Sequence, residues 1–158
     1  MGRDTEILIK EAAKIMRADP KTEAAVTNVV KQCFETFTKR DLDAVLAFFA
    51  PDPDVIVIGT GGNEKCVGLA ELRNIFKRSF AQFEEASFNF GWHSVSAAGS
   101  VAMLAADVTL YVKTSDRQIT EQIRLTVALE QRGDRWLIIQ WHDSLPAAGQ
   151  KDGQAFAA

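Results

Sequence analysis

Three consecutive apolar strands near the end of the chain each carry one charged residue in the middle of the apolar pattern. The predicted strands and the residues that interrupt them are 101–113 with Asp107, 118–131 with Arg124 and 135–145 with Asp143. If residues 115–116 form the turn of the first hairpin, Asp107 is directly opposite Arg124, and a four-residue loop over 114–117 gives the same pairing. The side chains of these two residues should therefore be neighbours on one face of a sheet.

The second hairpin adds Asp143 to the same row. If residues 133–134 form its turn, Arg124 is also directly opposite Asp143. Directly opposed residues have Cβ atoms about 4.5–5.5 Å apart, so the sequence predicts an Asp–Arg–Asp row across three strands. A slip of one residue in either register would break the row, because successive side chains of a strand point to opposite faces.

The composition is typical of one globular domain. The chain has 158 residues, of which 47% are hydrophobic and 25% charged, and this is ordinary for a folded protein. The net charge is −3 and no basic stripe stands out, which argues against a nucleic-acid partner. The N-terminal segment lacks the apolar core of a signal peptide and no segment could span a bilayer, so we expect a cytoplasmic protein without membrane contact. Cys33 and Cys66 are not spaced like metal ligands, and we expect no metal and no cofactor.

The apolar periodicity predicts helices first and antiparallel strands afterwards. The predicted helices are 5–17 as an N-terminal arm, 22–39, 41–50 with Asp41 as N-cap, and 69–83. The predicted strands are 54–59, 87–97 and the three given above, with a glycine-bearing loop over 60–68. The sequence thus divides into a helical arm over 1–20, a domain over 21–146 and a flexible tail over 147–158. This order of elements is typical of an α+β domain.

Both faces of the predicted sheet carry apolar residues. One face would contain Val108, Leu110, Ile123, Leu125, Trp136 and Ile138, and the other would carry the charged row. A sheet that is apolar on both sides has to be covered on both, and about three helices can cover only one. We therefore expect a homodimer in which the first of these faces meets a second subunit.

The face with the charged row also collects aromatic side chains. A Gly-Ser turn before the first of the three strands places Trp92 opposite Asp107, and a turn shifted by one residue places Phe90 there instead. With Tyr111 and Trp141, these rings would form the wall of a largely apolar pocket with few polar groups, the usual composition of a small-molecule site. Plain core packing is the alternative interpretation of each ring.

Two other patterns have simple structural interpretations. The GTGG segment at 59–62 fits neither the dinucleotide nor the phosphate-loop spacing, and is interpreted as a turn at the rim of the pocket. His142 and Ser144 alternate away from Asp143 and no oxyanion motif precedes Ser144, so they are interpreted as core or interface residues rather than as a nucleophile pair.

Four stretches of the chain resemble the SnoaL-like branch of the nuclear transport factor 2-like superfamily. They are KRDLDAVLAFFAPDPDVIVIGTG (39–61), VGLAEL (67–72), AAGSVA (97–102) and RLTVALEQRGDRWLIIQWHDSLP (124–146). The resemblance implies a cone, in which a strongly curved antiparallel sheet wraps around a long N-terminal helix and shorter helices. It also implies a pocket between the concave face and the helices, and dimers formed through the sheet.

The resemblance extends to the association domains of calmodulin-dependent kinases, in which arginines from three strands line the pocket. Arg124 looks like one of these arginines, whereas Asp107 and Asp143 stand where two others would be. This departure argues against an anionic ligand. Members of the superfamily include isomerases, dehydratases, cyclases, ligand binders and assembly modules, so the resemblance does not select one reaction.

The predicted site follows from these two arguments together. Its residues are Asp107 and Asp143 as candidates for a general base, and Arg124, Tyr111, Trp92, Trp141 and Phe90 as substrate-binding residues. An isomerase, dehydratase or cyclase needs a buried base and a donor to a developing oxyanion, and Arg124 with Tyr111 would supply the donor to an apolar or mixed-polarity substrate. The alternative is a non-catalytic ligand-binding or dimerisation module, in which the charged row is a structural ion network.

Overall fold

The computed structural model describes residues 16–156. Its helices in this part of the chain are α1 (Pro20–Thr38), α2 (Leu42–Leu46) and α3 (Leu69–Phe80). The side chain of Asp19 caps α1 by accepting hydrogen bonds from the backbone N–H groups of Lys21 and Thr22. Asp41 caps α2 as predicted, because its carboxylate accepts a hydrogen bond from the N–H of Ala44 at 3.1 Å.

A six-stranded sheet packs against these helices. The strands are β1 (Ile56–Ile58), β2 (Lys65–Val67), β3 (Glu85–Ala98), β4 (Val101–Lys113), β5 (Gln118–Arg132) and β6 (Arg135–Ser144). Their order is β2-β1-β6-β5-β4-β3, with β1 parallel to β6 and all other neighbours antiparallel. Val26, Val30 and Phe34 on one face of α1 belong to the core that this sheet encloses. The predicted α+β class, a curved sheet around an N-terminal helix, is confirmed.

The predicted elements differ from the observed ones mainly at their ends and in one loop. The helix predicted over 41–50 ends at Leu46, and the loop predicted over 60–68 contains β2, which is too short to show a periodicity. The N-terminal helix predicted over 5–17 lies almost entirely outside the described residues. Within the described part of the chain, no helix is long and apolar enough to cross a membrane.

The first predicted register is confirmed, and the second is confirmed from the turn as far as the pair Leu129 and Ile138 but is wrong beyond it. Asp107 of β4 pairs with Arg124 of β5, as the turn predicts. On its other side, Arg124 pairs with Ser144 of β6 rather than with Asp143. The charged row is therefore broken after two of its three residues.

A β-bulge at Ile139 is the reason for this break. The register shifts between Ala128 and Leu129 of β5, and Ile139 of β6 is the extra residue that has no partner there. A bulge turns every later residue of its strand to the opposite face. Asp143 accordingly pairs with Leu125, which is buried under the helices.

A second bulge lies in β3, close to Asp107. Phe90 pairs with the buried Val108, while Gly91 and Trp92 together stand opposite Asp107. The prediction that Trp92 lies opposite Asp107 is confirmed in part, since Trp92 shares this position with Gly91, and the alternative with Phe90 is wrong, because Phe90 pairs with Val108 on the other face.

The two faces of the sheet have the opposite roles to those predicted. We call the helix-covered side the inner face, and it carries the residues assigned above to a dimer interface: Val108, Leu110, Ile123, Leu125, Trp136 and Ile138. Val108 and Ile138 have no exposed surface within a single chain, so the prediction that this side meets a second subunit is wrong. The outer face carries Asp107 and Arg124, which are both exposed.

Gly68 is required by the turn that leads into α3. Its φ of 81° lies in the left-handed region, and a Cβ added there would be 3.2 Å from the carbonyl oxygen of Pro53. Gly68→Ala should therefore lower the free energy of unfolding by roughly 1–3 kcal/mol, measured by urea denaturation. Gly62→Ala is the matched control, because a Cβ there meets nothing within 4 Å, and it should change stability by less than about 0.5 kcal/mol. Equal effects of the two substitutions would contradict this account.

Candidate functional site

An apolar cavity of about 170 Å³ lies between the inner face of the sheet and the helices. We call it the Asp143 cavity. Its polar lining residues are few: Thr60, Glu64, Ser79, Glu121 and Asp143. Most of the remaining wall is aromatic or aliphatic. A dry apolar cavity of about 150 Å³ is large enough to bind benzene, so this cavity has the size for a molecule of about one ring.

Packed aromatic rings form one wall of the Asp143 cavity. The ring of Phe34, on α1, lies 4.2 Å from that of Phe88 on β3 and 5.0 Å from that of Trp141 on β6, measured between centroids. Phe49 lies 6.3 Å from the same tryptophan. The first two contacts join α1 to β3 and β6, and such tilted and edge-on arrangements favour a well-ordered wall.

Asp143 is the polar residue whose surroundings are least usual. The residue is half-buried as a whole, but its Oδ1 is shielded from solvent and has no hydrogen-bond partner. Burial raises the pKa of this carboxyl to about 7, the neighbouring Trp141 side chain opposes the shift, and the charge of Glu64 adds to it. At neutral pH the carboxyl is therefore present in both protonation states.

Two thiols also line the Asp143 cavity. Cys33 on α1 and Cys66 on β2 are both buried and free. Burial raises the pKa of both thiols above the ordinary value, and the charge of Asp143 raises that of Cys33 further. Such thiols are protonated at neutral pH and are poor nucleophiles. Among residues 16–156, no three His, Cys, Asp or Glu side chains are grouped as metal ligands would be.

Three of the seven predicted site residues lie on the inner face. Trp141 and Asp143 line the Asp143 cavity. Phe90 lies beside it, with its ring 5.8 Å from that of Phe34 and below the ammonium group of Lys31, and it lines a shallow groove between α1 and β3 instead.

The other four predicted residues lie outside the cavity. Asp107, Arg124, Tyr111 and Trp92 are exposed and are not among its lining residues. The guanidinium of Arg124 donates a hydrogen bond to the carbonyl oxygen of Leu145 at 3.0 Å, and no ion pair joins it to Asp107. The prediction that this part of the row lines the pocket is wrong, because the helices cover the opposite face of β4 and β5 and only Asp143, after the bulge in β6, lies on that side.

Sequence reasoning missed two carboxylates of the site. Glu121 pairs with Leu110 in the register that the sequence predicts correctly, so its alternation with Ile123 already places it on the inner face. Glu64 had no comparable signal, because it lies in a loop whose path depends on tertiary contacts. The GTGG segment does lie at the cavity, since Gly59 and Thr60 line it.

Solved structures with this fold cover most of the chain. A proposed aromatic ring hydroxylase from Novosphingobium aromaticivorans is 20% identical, with a TM-score of 0.75, and the match covers 82% of this chain and 92% of that one. A proposed dehydratase of the nuclear transport factor 2-like family from Streptomyces avermitilis is 16% identical, with a TM-score of 0.71 and coverage of 82% and 100%. A proposed calcium/calmodulin-dependent protein kinase II association domain from Xanthomonas campestris is 20% identical, with a TM-score of 0.69 and coverage of 84% and 95%.

Identities this low establish a shared fold and nothing about activity. No curated protein matches the sequence significantly. The model of the SnoaL-like domain, however, matches residues 26–148, which contain nearly all of the sheet and the helices that cover it. The fold, the helix-covered cavity and this match lead to one conclusion: the chain belongs to the SnoaL-like domain family.

Proposed function

We propose that this chain binds a compact, largely apolar small molecule in the Asp143 cavity and that Asp143 exchanges a proton with it. The observation that carries the proposal is the Oδ1 atom of Asp143, which is buried and unpaired beside an apolar cavity. Unpaired buried polar atoms are rare in native proteins because they cost free energy. A bound molecule with a hydrogen to share would supply the missing partner.

The protonation of Asp143 suits an acid–base role. Proton transfer is most efficient when the pKa of the catalytic group lies near the working pH, and the pKa of this carboxyl is about 7. As a carboxylate, Asp143 takes a proton from a carbon next to a carbonyl group, and the electrons of the C–H bond form an enolate. The protonated Asp143 then returns the proton to another carbon, which gives isomerisation, or to a departing hydroxyl group, which leaves as water.

The developing enolate oxygen needs a hydrogen-bond donor. The predicted donors Arg124 and Tyr111 lie outside the cavity, and the hydroxyl groups on its lining are those of Thr60 and Ser79. The hydroxyl of Ser79 donates to the carbonyl oxygen of Ile75 at 3.1 Å, so it has to rotate to serve a ligand. Thr60 is exposed and lies in the loop at the rim, and we assign it the donor role.

Within this proposal we choose the elimination branch as the first reaction to test. One of the structures with the same fold is a proposed dehydratase, and another is a proposed scytalone dehydratase from Novosphingobium aromaticivorans. Dehydration needs a group that removes a proton from carbon and gives one to oxygen, and a single carboxyl with a pKa near neutrality can do both in turn.

An assembly role is the second candidate, and the outer face supports it. Trp92, Met103 and Tyr111 lie there with 63%, 49% and 45% of their surface exposed. Large apolar side chains on the exposed face of a sheet are candidates for a contact site. We propose that two copies of the chain pair through this outer face, while each inner face keeps its own cavity.

Replacing Asp143 tests the catalytic proposal. Asp143→Asn keeps the shape but removes the base, and it should slow hydrogen–deuterium exchange at the carbon next to the carbonyl by about 10²–10⁴-fold. The exchange is followed by NMR with cyclic β-hydroxyketones of one ring. Asp107→Asn is the control, because it removes the same charge from the outer face, and it should exchange at the wild-type rate. Full exchange by the Asp143 variant would refute the acid–base role.

Asp143 also makes the free energy of unfolding depend on pH. Its pKa rises from 3.8 to about 7 in the folded chain, so between these values the folded state holds a proton that the unfolded state has released. The stability from this proton is complete below about pH 3.8 and is lost as the pH rises to about 7. Asp143→Asn cannot ionise, so it should be more stable than wild type at pH 8, by a few kcal/mol at most, and the gain should shrink at pH 5.

Urea denaturation of both proteins at pH 5 and pH 8 measures this difference. Asp107→Asn, on the exposed outer face, should retain the wild-type dependence on pH. A stability difference between wild type and Asp143→Asn that is the same at both pH values would contradict the raised pKa.

The proposed dimer is tested by one charge on the outer face. Wild-type protein at micromolar concentration should have the mass of a dimer in light scattering. Met103→Lys places an ammonium in the contact and should yield monomers, because burying an unpaired charge is costly. Val67→Lys is the matched control, since Val67 is equally exposed at 49% but lies on β2 at the far edge of the sheet, and it should stay dimeric. A monomeric wild type would rule out the pairing.

A further inference from the structure

All the charged residues that line the Asp143 cavity are acidic. The lining residues, every one of which the structure describes, include the carboxyl groups of Glu64, Glu121 and Asp143 and contain no Lys, Arg or His. The two thiols on the lining have raised pKa values and are neutral, so they add no counter-charge. An anionic ligand would find no counter-charge on this wall and would be repelled by it.

The carboxylate of Glu64 is fixed by its own loop. Its Oε2 accepts a hydrogen bond from the N–H of Gly61 at 2.9 Å. Two backbone hydrogen bonds also hold the loop. The N–H of Gly59 donates to the carbonyl oxygen of Glu64 at 2.8 Å, and the N–H of Glu64 donates to the carbonyl oxygen of Gly61 at 3.0 Å. A charge held in this way does not swing into bulk water as a free surface glutamate does.

Two glycines of the GTGG segment have no side chain and so leave space for this carboxylate. A Cβ at Gly59 would come within 2.5 Å of Oε2 of Glu64, and a Cβ at Gly61 within 2.9 Å of its Cδ. Neither glycine has a positive φ, so the backbone conformation does not require glycine there. The close approach of the Glu64 side chain is the physical reason for both.

We propose that Glu64 is a specificity-determining residue, whose fixed negative charge excludes anions so that the Asp143 cavity takes an uncharged molecule of about one ring with an O–H or N–H donor. The donor pairs with the orphaned Oδ1 of Asp143, and the ring occupies the space beside Phe34 and Trp141. The inference deepens the proposed function, and it rests on ligand binding in this cavity but not on catalysis.

The apolar wall is the reason for choosing an uncharged molecule over a cation. Phe34 and Trp141 meet edge to face at an interplanar angle of 62°, so these rings are engaged with each other rather than stacked over a common ligand site. Transfer of an ammonium group from water into such a cavity is costly unless a carboxylate pairs with it fully. A neutral donor satisfies Oδ1 without this cost.

Three probes that share a benzyl or benzoyl frame separate the ligand classes. They are benzyl alcohol, benzylammonium and benzoate, and their dissociation constants are measured by ligand-observed NMR with the full chain. At pH 6 Asp143 is mostly protonated, because its pKa is about 7, so Glu64 and Glu121 carry the charge of the wall. We expect benzyl alcohol to bind most tightly and benzoate at least tenfold more weakly.

Glu64→Gln tests the residue itself. The amide oxygen of glutamine still accepts the hydrogen bond from Gly61, so the loop is kept while the charge is removed. We expect this variant to tighten benzoate binding by on the order of tenfold and to leave benzyl alcohol unchanged. Asp107→Asn changes the net charge equally on the outer face and should alter neither constant. Far-ultraviolet circular dichroism verifies that each variant is folded.

The outcomes distinguish this inference from the proposed reaction. Benzoate that binds wild type as tightly as benzyl alcohol overturns the inference, as does tightest binding by benzylammonium. An unchanged benzoate constant in folded Glu64→Gln overturns the role of Glu64. Selective binding of benzyl alcohol without any proton exchange leaves the inference standing while the catalytic proposal fails. If none of the three probes binds, both fail.

Discussion

The β-bulge at Ile139 is the feature on which the candidate site depends. It reverses the faces of the last part of β6, so Trp141 and Asp143 turn toward α1 and not toward solvent. The strand is apolar on both faces just before this point, with Leu137, Ile138 and Ile139 in succession. Because these residues are apolar whichever face they occupy, a change of face here causes no net exposure of apolar surface. A bulge also bends its strand, which agrees with the curvature of the sheet around α1.

The site that results combines a strong apolar wall with one poorly satisfied polar group. The rings packed around Phe34 and the buried aliphatic side chains of β4 and β5 stabilise the fold by removing apolar surface from water. The buried carboxyl of Asp143 opposes this, because ionising it in the cavity costs more than in water. A chain selected only for stability would gain from an apolar residue at this position. The proposed ligand would supply the hydrogen-bond partner that Oδ1 of this carboxyl lacks in the chain alone.

The fold was largely predictable from the sequence, and the site was predictable only in part. The Asp41 cap and the helix α1 follow from local sequence patterns. The register of Asp107 with Arg124 follows from the turn, because a tight turn determines how its two strands pair. The same rule fails for Asp143, because the turn gives no sign of an extra residue in the middle of a strand. The assignment of inner and outer faces failed for a related reason: both faces carry apolar residues, and only the position of α1 decides which of them is covered.

The sequence pattern is informative for Glu121 and much less so for Glu64, the two carboxylates of the cavity that were not predicted. The alternation of Glu121 with Ile123 already places it beside the apolar residues of β5, although a lone carboxylate on an apolar face is easily dismissed. Glu64 follows a loop and a three-residue strand, and such short segments acquire their structure from tertiary contacts. The aromatic residues of β3 show the same division, since Phe90 lies on the inner face and the bulge beside it directs Trp92 outward.

The bulge in β3 affects how readily copies of this chain can aggregate through the edge of the sheet. β3 is a terminal strand of the sheet, and a long flat edge invites another strand to add its backbone hydrogen bonds there. The interruption at Gly91 and Trp92 divides this edge into two shorter segments, and part of it is already occupied, because Arg17 bridges to Ser96 and the N–H of Ala18 donates to the carbonyl of Val95. At the opposite end, β2 offers only three residues. The sheet is thereby protected at both ends against growth into an extended, aggregating ribbon.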